Sequence, residues 1–353
     1  MHTQSRYRLL VVRLGAMGDI LHALPAVAAL RHMHPNWVID WVVEPRWRGL
    51  LSAPGATGPG PAQPIVDRLH FAPTKEWRKA PLSRETIHAL RELRRELRAG
   101  AYDTVLDLQG AIRSSVVARM TGSRRRIGEE TPREKPARWL TNEHIATSGT
   151  HIIEQDVELA SAIAADELEP ERPELPLYPE AEAWADSLLS GSSRPAVLIN
   201  PGAGWGAKRW PAARYGEVAR ALAAKGCRIF VNVGPGEEPL AQTIVETAGN
   251  AVLPVAASLD QLIALTRRIR LAVAGDTGPL HLACALGKPV VGIYGPTDPS
   301  RNGPFGVDFR VLRSPLSHKD HSRKPDPEAG LLTIEPNAVI AAAEELLDAS
   351  GPA

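Results

Sequence analysis

Residues 271–294, LAVAGDTGPLHLACALGKPVVGIY, contain the pattern that decides the fold. A short apolar run, Leu271–Ala274, precedes a Gly-rich loop, and Pro279–Leu286 then has the pattern of a helix leading into a second apolar run, Val290–Tyr294. Strand, helix and strand in this order form a βαβ unit, because neighbouring parallel strands need a long crossover between them. The stretch therefore predicts a parallel, doubly wound sheet.

The same alternation continues on both sides of this stretch. Apolar runs bounded by turn residues predict strands, and amphipathic runs predict helices. The predicted strands are Leu9–Val12, Val38–Val43, Thr104–Leu108, Val197–Asn200 and Arg228–Val233, and the predicted helices include Ser83–Ala99, Ala213–Lys225 and Leu259–Arg268. Because 353 residues exceed one ordinary core, these elements indicate an α/β protein with two Rossmann-like, doubly wound domains.

The composition changes between the two halves. Residues 166–179 are rich in Pro and Glu, which is typical of a linker between domains. We predict an N-terminal domain at 1–170, a linker at 171–179 and a C-terminal domain at 180–330. Residues 331–353 are predicted to contain an amphipathic helix that packs back on the N-terminal domain.

Composition excludes several classes of protein. Hydrophobic residues make up 44% of the chain and charged residues 23%, which is typical of a globular protein. No apolar run approaches the ~20 residues of a membrane-spanning helix. The apolar run Leu9–Val12 is too short for a signal peptide, so we expect a cytoplasmic protein. The two cysteines, Cys227 and Cys284, have the spacing of neither a metal site nor a disulfide framework.

The net charge of +1 conceals an asymmetry between the halves. Residues 1–150 contain 23 Lys and Arg against 14 Asp and Glu, a charge of +9, and the remainder carries −8. This favours an anionic partner for the N-terminal half. A solvated basic helix face is the alternative explanation.

The loop Gly15–Asp19 follows the first predicted strand directly. Ligands of parallel sheets bind beyond the carboxyl ends of the strands, and Gly15 and Gly18 allow close approach of the backbone to another molecule. Asp19 can act there as a general base toward a hydroxyl. The alternative is that Asp19 only caps the following helix.

Three loops of the second half carry groups suited to a nucleotide. The loop 200–211 has three glycines before Lys208 and Arg209 at a helix start, and the loop 275–281 enters another helix. Backbone N–H groups and cations in such places bind phosphate. The chain has no Asp-x-Asp motif, so we expect Lys, Arg and helix N-termini, rather than a metal, to neutralise a leaving diphosphate. Glu237 or Glu238, which follow a third predicted strand, can accept hydrogen bonds from the hydroxyl groups of a ribose.

These motifs resemble glycosyltransferase family 9, the lipopolysaccharide heptosyltransferases. The resemblance covers almost the whole chain and rests on the segments 17–25 (MGDILHALP), 40–44 (DWVVE), 107–110 (DLQG), 208–211 (KRWP), 276–281 (DTGPLH) and 294–299 (YGPTDP). It implies a GT-B fold with two domains facing a central cleft. It also implies inverting, metal-independent heptose transfer from ADP-L-glycero-β-D-manno-heptose to a Kdo2-lipid A-type acceptor, with no cofactor. The first-half motifs are more similar to heptosyltransferase I, and residues 206–211 to heptosyltransferase II.

The resemblance also implies roles for single residues. Asp19 matches the catalytic base. Donor-binding residues are matched by Lys208 at the diphosphate, Glu237 or Glu238 at the ribose, and Asp276, Thr277, Gly278 and His281. Acceptor-binding residues are matched by Gly18, Lys75, Arg78, Lys79, Gln109, Arg133 and His151. We expect peripheral contact with the cytoplasmic face of the inner membrane, and no nucleic-acid partner. The alternatives are a family 9 transferase with another sugar or acceptor, and a non-catalytic nucleotide-sugar-binding module.

Overall fold

A computed structural model describes residues 6–320 and 322–349 of the chain. The ends of the predicted N-terminal domain and C-terminal helix, residues 1–5 and 350–353, lie outside the described residues, as does residue 321. The chain divides into two compact units between Leu177 and Tyr178. This division falls inside the segment 171–179 that was predicted to be a linker.

The first unit is built on a six-stranded parallel sheet in the order β3-β2-β1-β4-β5-β6. Its strands are β1 (Arg8–Val12), β2 (Val38–Val43), β3 (Arg68–Phe71), β4 (Thr104–Asp107), β5 (Arg125–Glu129) and β6 (Glu143–Ile145). Its helices are α1 (Met17–Met33), α2 (Thr74–Lys79), α3 (Arg84–Ala99), α4 (Ile112–Met120) and α5 (Ile152–Ala164), with 3₁₀ turns at Pro45–Leu50 and Lys135–Trp139.

The second unit is built on another six-stranded parallel sheet, in the order β12-β11-β10-β7-β8-β9. Its strands are β7 (Ala196–Asn200), β8 (Arg228–Asn232), β9 (Val252–Val255), β10 (Leu271–Gly275), β11 (Val290–Tyr294) and β12 (Phe309–Arg313). Its helices are α6 (Pro179–Leu189), α7 (Ala212–Ala224), α8 (Glu238–Ala248), α9 (Leu259–Arg268), α10 (Gly278–Ala285), α11 (Pro299–Asn302) and α12 (Pro336–Ala349), with 3₁₀ turns at Gly206–Lys208, Gly249–Ala251 and Leu331–Thr333.

Both sheets have the same strand order once the second is counted from β7. In each, the first strand lies between the second and the fourth, and the crossovers change direction there. This is the doubly wound order of dinucleotide-binding domains, whose ligands bind where the order reverses. The prediction of two doubly wound α/β domains is confirmed.

Helix α12 belongs to the core of the second unit. Its apolar side chains Val339, Ala343 and Leu346 are buried in one cluster with residues of α7 and β7. Trp210 joins the same cluster and donates from Nε1 to the carbonyl of Ile334, just before the helix, at 3.0 Å. The predicted amphipathic helix is thus present, and its apolar face packs on the core of the second unit.

None of the helices in residues 6–320 and 322–349 combines the length and the hydropathy that crossing a bilayer requires.

Candidate active site

Most of the predicted site residues follow the carboxyl ends of strands. In the first unit they lie in or beside the loops after β1, β3, β4, β5 and β6, and in the second unit after β7, β8 and β10. All strands of a sheet are parallel, so these loops gather at one edge of each sheet. This is the edge at which open α/β sheets bind ligands.

Asp19 is the third residue of α1, and its carboxylate turns back toward the helix start. Oδ2 accepts the backbone N–H of Ala16 at 2.9 Å. The capping interpretation is therefore partly right, although Asp19 caps from inside the helix and Ala16 is the N-cap residue. The side chain remains 38% exposed, so a substrate hydroxyl can reach the carboxylate. The bend before it depends on Gly15, whose φ is +147° and where a Cβ would come within 2.8 Å of the Trp47 ring.

Arg13 is a site residue that the sequence analysis missed. Its side chain is buried, its Nη2 lies 3.6 Å from Oδ1 of Asp19, and its Nε has no hydrogen-bond partner in the described part of the chain. A buried guanidinium is costly unless a negative group compensates it. The sequence did contain a signal for Arg13, because a charged residue that directly follows the apolar run Leu9–Val12 lies at the carboxyl edge of the sheet.

Gln109 supports the same loop from β4. Its Oε1 accepts the N–H of Leu14 at 2.8 Å, and its Nε2 is buried with no partner among the described residues. Buried amide groups without partners are rare in native proteins. This Nε2 donor is enclosed by the protein, and the acceptor-binding role of Gln109 stays a prediction.

Three other predicted acceptor residues lie around this edge. Gly18 directly precedes Asp19 in α1. Arg133 is exposed, and its backbone approaches the loop after β4, since a Cβ at Gly110 would lie 3.1 Å from its amide nitrogen. His151 is the N-cap of α5, where Nδ1 accepts the N–H of Ile153 at 3.2 Å. The His151 ring packs edge-on against His22, one turn after Asp19, at a centroid distance of 5.7 Å.

The predicted basic segment forms the short helix α2 after β3. Lys75, Arg78 and Lys79 are exposed, and none pairs with a carboxylate of residues 6–320 or 322–349. The helix is tied to the neighbouring strand end because Thr74 donates its hydroxyl to Oε1 of Glu44 at 2.7 Å. Its cations are therefore free to meet an anion.

In the second unit, Lys208, Asp276 and His281 meet in one buried cluster. The Lys208 ammonium pairs with Oδ2 of Asp276, and Nε2 of His281 lies 3.2 Å from Oδ1. Burial alone would raise the pKa of Asp276, but the hydrogen bond from His281 and the Lys208 charge outweigh it and hold that pKa well below its usual range. Asp276 therefore fixes Lys208 at the start of α10.

The start of α10 supplies backbone donors beside this cation. Thr277 is the N-cap and Gly278 the first helical residue, with Pro279 following it. The helix thus begins one residue earlier than predicted. The first N–H groups of a helix have no intrahelical partner and carry a partial positive charge. The Lys208 ammonium also lies 4.2 Å from the centroid of the Trp205 ring, which limits its motion further.

The structure distinguishes Glu237 from Glu238. Oε2 of Glu237 accepts the N–H of Gly234 at 2.9 Å, and its carboxylate lies against Gly202 in the loop after β7, where a Cβ would overlap both oxygens. Glu238 is exposed, and its carboxylate accepts the N–H of Gly236 at 3.1 Å. Only Glu237 is held against the loop that carries Lys208.

Residues 315–320 and 322–331, which we name the strap, follow β12 in the chain. They pack on the Lys208 loop, since Ala207 donates to the carbonyl of Lys324 at 3.0 Å and Glu328 donates its N–H to the carbonyl of Ala207 at 3.2 Å. Gly206 has room for no side chain, because a Cβ there would overlap the carbonyl of Pro325. The strap thus shapes the donor loop. No local pattern in the sequence predicts this packing of the strap on the Lys208 loop.

A further polar group lies between the strand ends β7 and β8. Asn232 donates to Oδ1 of Asn200 at 3.0 Å, and Nδ2 of Asn200 is buried without a partner in the described part of the chain. Among the described residues, no group of three or more His, Cys, Asp or Glu side chains could hold a metal ion. The second edge thus offers cations, N–H groups and amides to an anion. The first edge offers the carboxylate of Asp19 after β1 and the exposed cations Lys75, Arg78, Lys79 and Arg133 after β3 and β5.

The chain is similar to several known proteins. The model of a family described as glycosyltransferase family 9 (heptosyltransferase) matches residues 90–332. Lipopolysaccharide heptosyltransferase 1 of Escherichia coli K12 is 30% identical over 313 residues, which cover 87% of this chain and 94% of that protein. Lipopolysaccharide heptosyltransferase 2 of the same strain is 25% identical, over 96% of this chain and 98% of that protein.

Solved structures of E. coli heptosyltransferase WaaC are also similar. The structure with ADP has a TM-score of 0.78, and the structure with ADP-2-deoxy-2-fluoro heptose a TM-score of 0.76. Both are 27% identical to this chain and cover 96% of it and 99% of their own chain.

Proposed function

The chain belongs to glycosyltransferase family 9, and we propose that it transfers heptose from ADP-L-glycero-β-D-manno-heptose to the Kdo and lipid A inner core of lipopolysaccharide. Family membership makes it a glycosyltransferase, and its α/β fold is the predicted GT-B fold. The observation that carries the finer proposal is the Lys208–Asp276 pair at the start of α10. It fixes a cation beside helix N–H groups, which suits a diphosphate donor.

The donor binds to the second unit. Its diphosphate meets the Lys208 ammonium and the N–H groups of Thr277 and Gly278, and its ribose hydroxyls meet Glu237. These groups stabilise the charge that develops on the leaving ADP, so no metal is needed. His281 holds Asp276, and Asp276 holds Lys208. The solved structures of WaaC with ADP and with an ADP-heptose analogue support this choice of donor.

The acceptor binds to the first unit. Asp19 takes the proton of the acceptor hydroxyl while that oxygen bonds to the anomeric carbon, and the bond from this carbon to the ADP oxygen breaks on the opposite side. The anomeric configuration is therefore inverted. Lys75, Arg78, Lys79 and Arg133 attract the carboxylates and phosphates of the acceptor, since opposite charges steer encounter. The protein works at the cytoplasmic face of the inner membrane, where such an acceptor is exposed.

We favour heptosyltransferase I, because the relative of that type is 30% identical and the relative of type 2 is 25% identical. The loop from Gly206 to Pro211 nevertheless resembles heptosyltransferase II. Transfer of a second heptose is therefore the alternative activity.

The test is a matrix of donors and acceptors with the purified full chain. Donors are ADP-heptose, UDP-sugars and GDP-sugars, and acceptors are Kdo2-lipid A with and without a first heptose. We expect transfer from ADP-heptose to the acceptor without heptose, and the same rate in excess EDTA. Transfer only to the heptose-bearing acceptor would establish the type II activity. Transfer only from another donor, or EDTA inhibition reversed by Mg²⁺, would contradict the proposal.

A further inference from the structure

One face of the first unit carries exposed apolar side chains. It is formed by α3, α4 and the 3₁₀ turn Lys135–Trp139, which are neighbours in the structure, and we name it the α3–α4 face. Trp139 is 83% exposed, Ile112 43% and Val116 39%. Ile112 and Val116 are one turn apart on α4 and share a side of the helix. Apolar groups exposed together mark surfaces that meet a partner or a membrane.

Helix α3 turns its basic flank toward this face. Helical spacing places Arg91, Arg94 and Arg98 on one flank of the helix and Glu85, Glu92 and Glu96 on another, with Arg95 between them and paired with Glu92 at 3.0 Å. Arg98 lies on the side of α4, since its Nε is 3.9 Å from the position of a Cβ at Gly122, just after that helix. Glu96 lies on the other flank, where its carboxylate is 3.4 Å from Nδ1 of His70 in β3. The α3–α4 face therefore receives the arginines and not the glutamates.

The cations of this face have no anionic partner. None of six of them pairs with a carboxylate in the part of the chain that the structure describes; they are Arg91, Arg94, Arg98, Arg113, Arg119 and Lys135. The nearby acidic groups are already engaged. Glu134 accepts the N–H of Ile112 at 2.8 Å, and Glu130 lies 3.5 Å from Arg138. The six cations outnumber the exposed carboxylate of Glu134, so the face combines an excess of positive charge with exposed apolar groups.

We propose that the α3–α4 face docks the protein on an anionic lipid surface. Trp139, Ile112 and Val116 enter the interface between headgroups and acyl chains, and the six cations meet lipid phosphates. Tryptophan favours this depth because its ring is apolar and its N–H is polar. Charge alone would suit a nucleic acid equally. However, a nucleic acid backbone offers nothing to the apolar side chains of α4.

The position of the face agrees with such docking. Helix α4 begins directly after Gly110, and Gly110 follows Gln109, whose Oε1 accepts the N–H of Leu14 in the Asp19 loop. The face therefore ends beside the loops to which we assign the acceptor. The inference rests on the proposed function in this respect, since an acceptor anchored in lipid has to be met at the membrane surface.

The experiment is sedimentation of the full chain with vesicles that contain no lipid A. One set is an equal mixture of phosphatidylglycerol and phosphatidylcholine, and the other is phosphatidylcholine alone. We expect binding to the anionic set only, weakened by added salt. Each of Arg91→Ala, Arg94→Ala and Arg98→Ala should weaken partitioning about fivefold. Trp139→Ser should reduce it as well, without unfolding the protein, because the ring is exposed.

Matched controls lie in the second unit. Arg220 is exposed and outside any ion pair of the described residues, and Leu316 is 65% exposed. Arg220→Ala and Leu316→Ser should bind vesicles like the unaltered chain. The inference is overturned if the unaltered chain ignores anionic vesicles, if the α3–α4 variants bind as well as the controls, or if only a duplex RNA retains the chain.

Activity toward a water-soluble acceptor fragment separates the two proposals. Retained transfer without vesicle binding would remove the docking surface and leave the proposed function. Vesicle binding that depends on Trp139, without transfer from any sugar donor, would remove the proposed function and leave the docking surface.

Discussion

The sheets of the two units have the same strand order, yet the loop after β1 presents a carboxylate where the loops after β7 and β10 present a cation and helix N–H groups. The first edge presents Asp19, with Arg13 buried beside it. The second presents Lys208 and the start of α10, with Asp276 buried beside them. In each, the exposed or accessible charge is held by a more deeply placed partner of the opposite sign. The comparison teaches that the fold supplies the position of a site, and that single loop residues decide whether it handles a proton or a phosphate.

The largest expected effect comes from removing the proton acceptor of the first edge. Asp19→Asn keeps the size of the side chain, and its amide oxygen can still accept the Ala16 N–H. The amide cannot take the proton of the acceptor hydroxyl. Turnover should therefore fall by about 10²–10⁴-fold, the usual contribution of a general base. Affinity for ADP, measured by calorimetry, should be unchanged. Near-normal turnover would remove Asp19 from the chemistry, whereas a lost ADP affinity would assign it to the second edge.

The next effect comes from removing the cation of the second edge. Lys208→Met should lower turnover by about 10²–10³-fold and weaken ADP binding. It also breaks the buried ion pair and leaves Asp276 with His281 as its remaining charged neighbour among the described residues, and breaking a buried pair costs about 3–5 kcal/mol of stability. The double variant Lys208→Met with Asp276→Asn should recover the stability in chemical unfolding but not the turnover. If the double variant recovered both, the pair would be structural only.

The smallest of these effects tests how the second edge is shaped. Gly202→Ala places a Cβ on the Glu237 carboxylate, so it should displace that group and weaken ADP binding about tenfold, the loss expected for a hydrogen bond to a charged group. Gly204→Ala is the matched control, because a Cβ there meets nothing within 4 Å. Equal ADP affinity of the two variants would contradict a ribose role for Glu237.

Central strands could be predicted from the sequence, because strands buried on both faces form uninterrupted apolar runs. β1, β7 and β10 are of this kind, with burial along almost their whole length. The strands β3, β5, β6, β9 and β12 were missed. Four of them carry charged residues, such as Arg68, Arg125 and Arg310, which apolar runs do not reveal, and the short strand β9 contains Pro254. The loops after the central strands were found for the same reason, since a recognised strand end shows where ligand groups lie.

The parts of the site that could not be predicted depend on contacts between distant segments. The burial of Arg13 beside Asp19 depends on tertiary packing, and the choice between Glu237 and Glu238 depends on which of them faces Gly202. The strap meets the Lys208 loop across more than a hundred residues of sequence. Local periodicity contains no information about such a contact.

The contact between Gly206 and the Pro325 carbonyl has a consequence for the history of the protein. A methyl group at residue 206 would collide with the backbone carbonyl of residue 325, which every residue type carries, so residue 206 cannot gain a side chain while the strap keeps its course. Descendants that gain a side chain at 206 must reroute or shorten the strap in the same lineage. Among related sequences, a side chain at position 206 should therefore occur together with a change in the length of the strap, whatever residue type stands at 325.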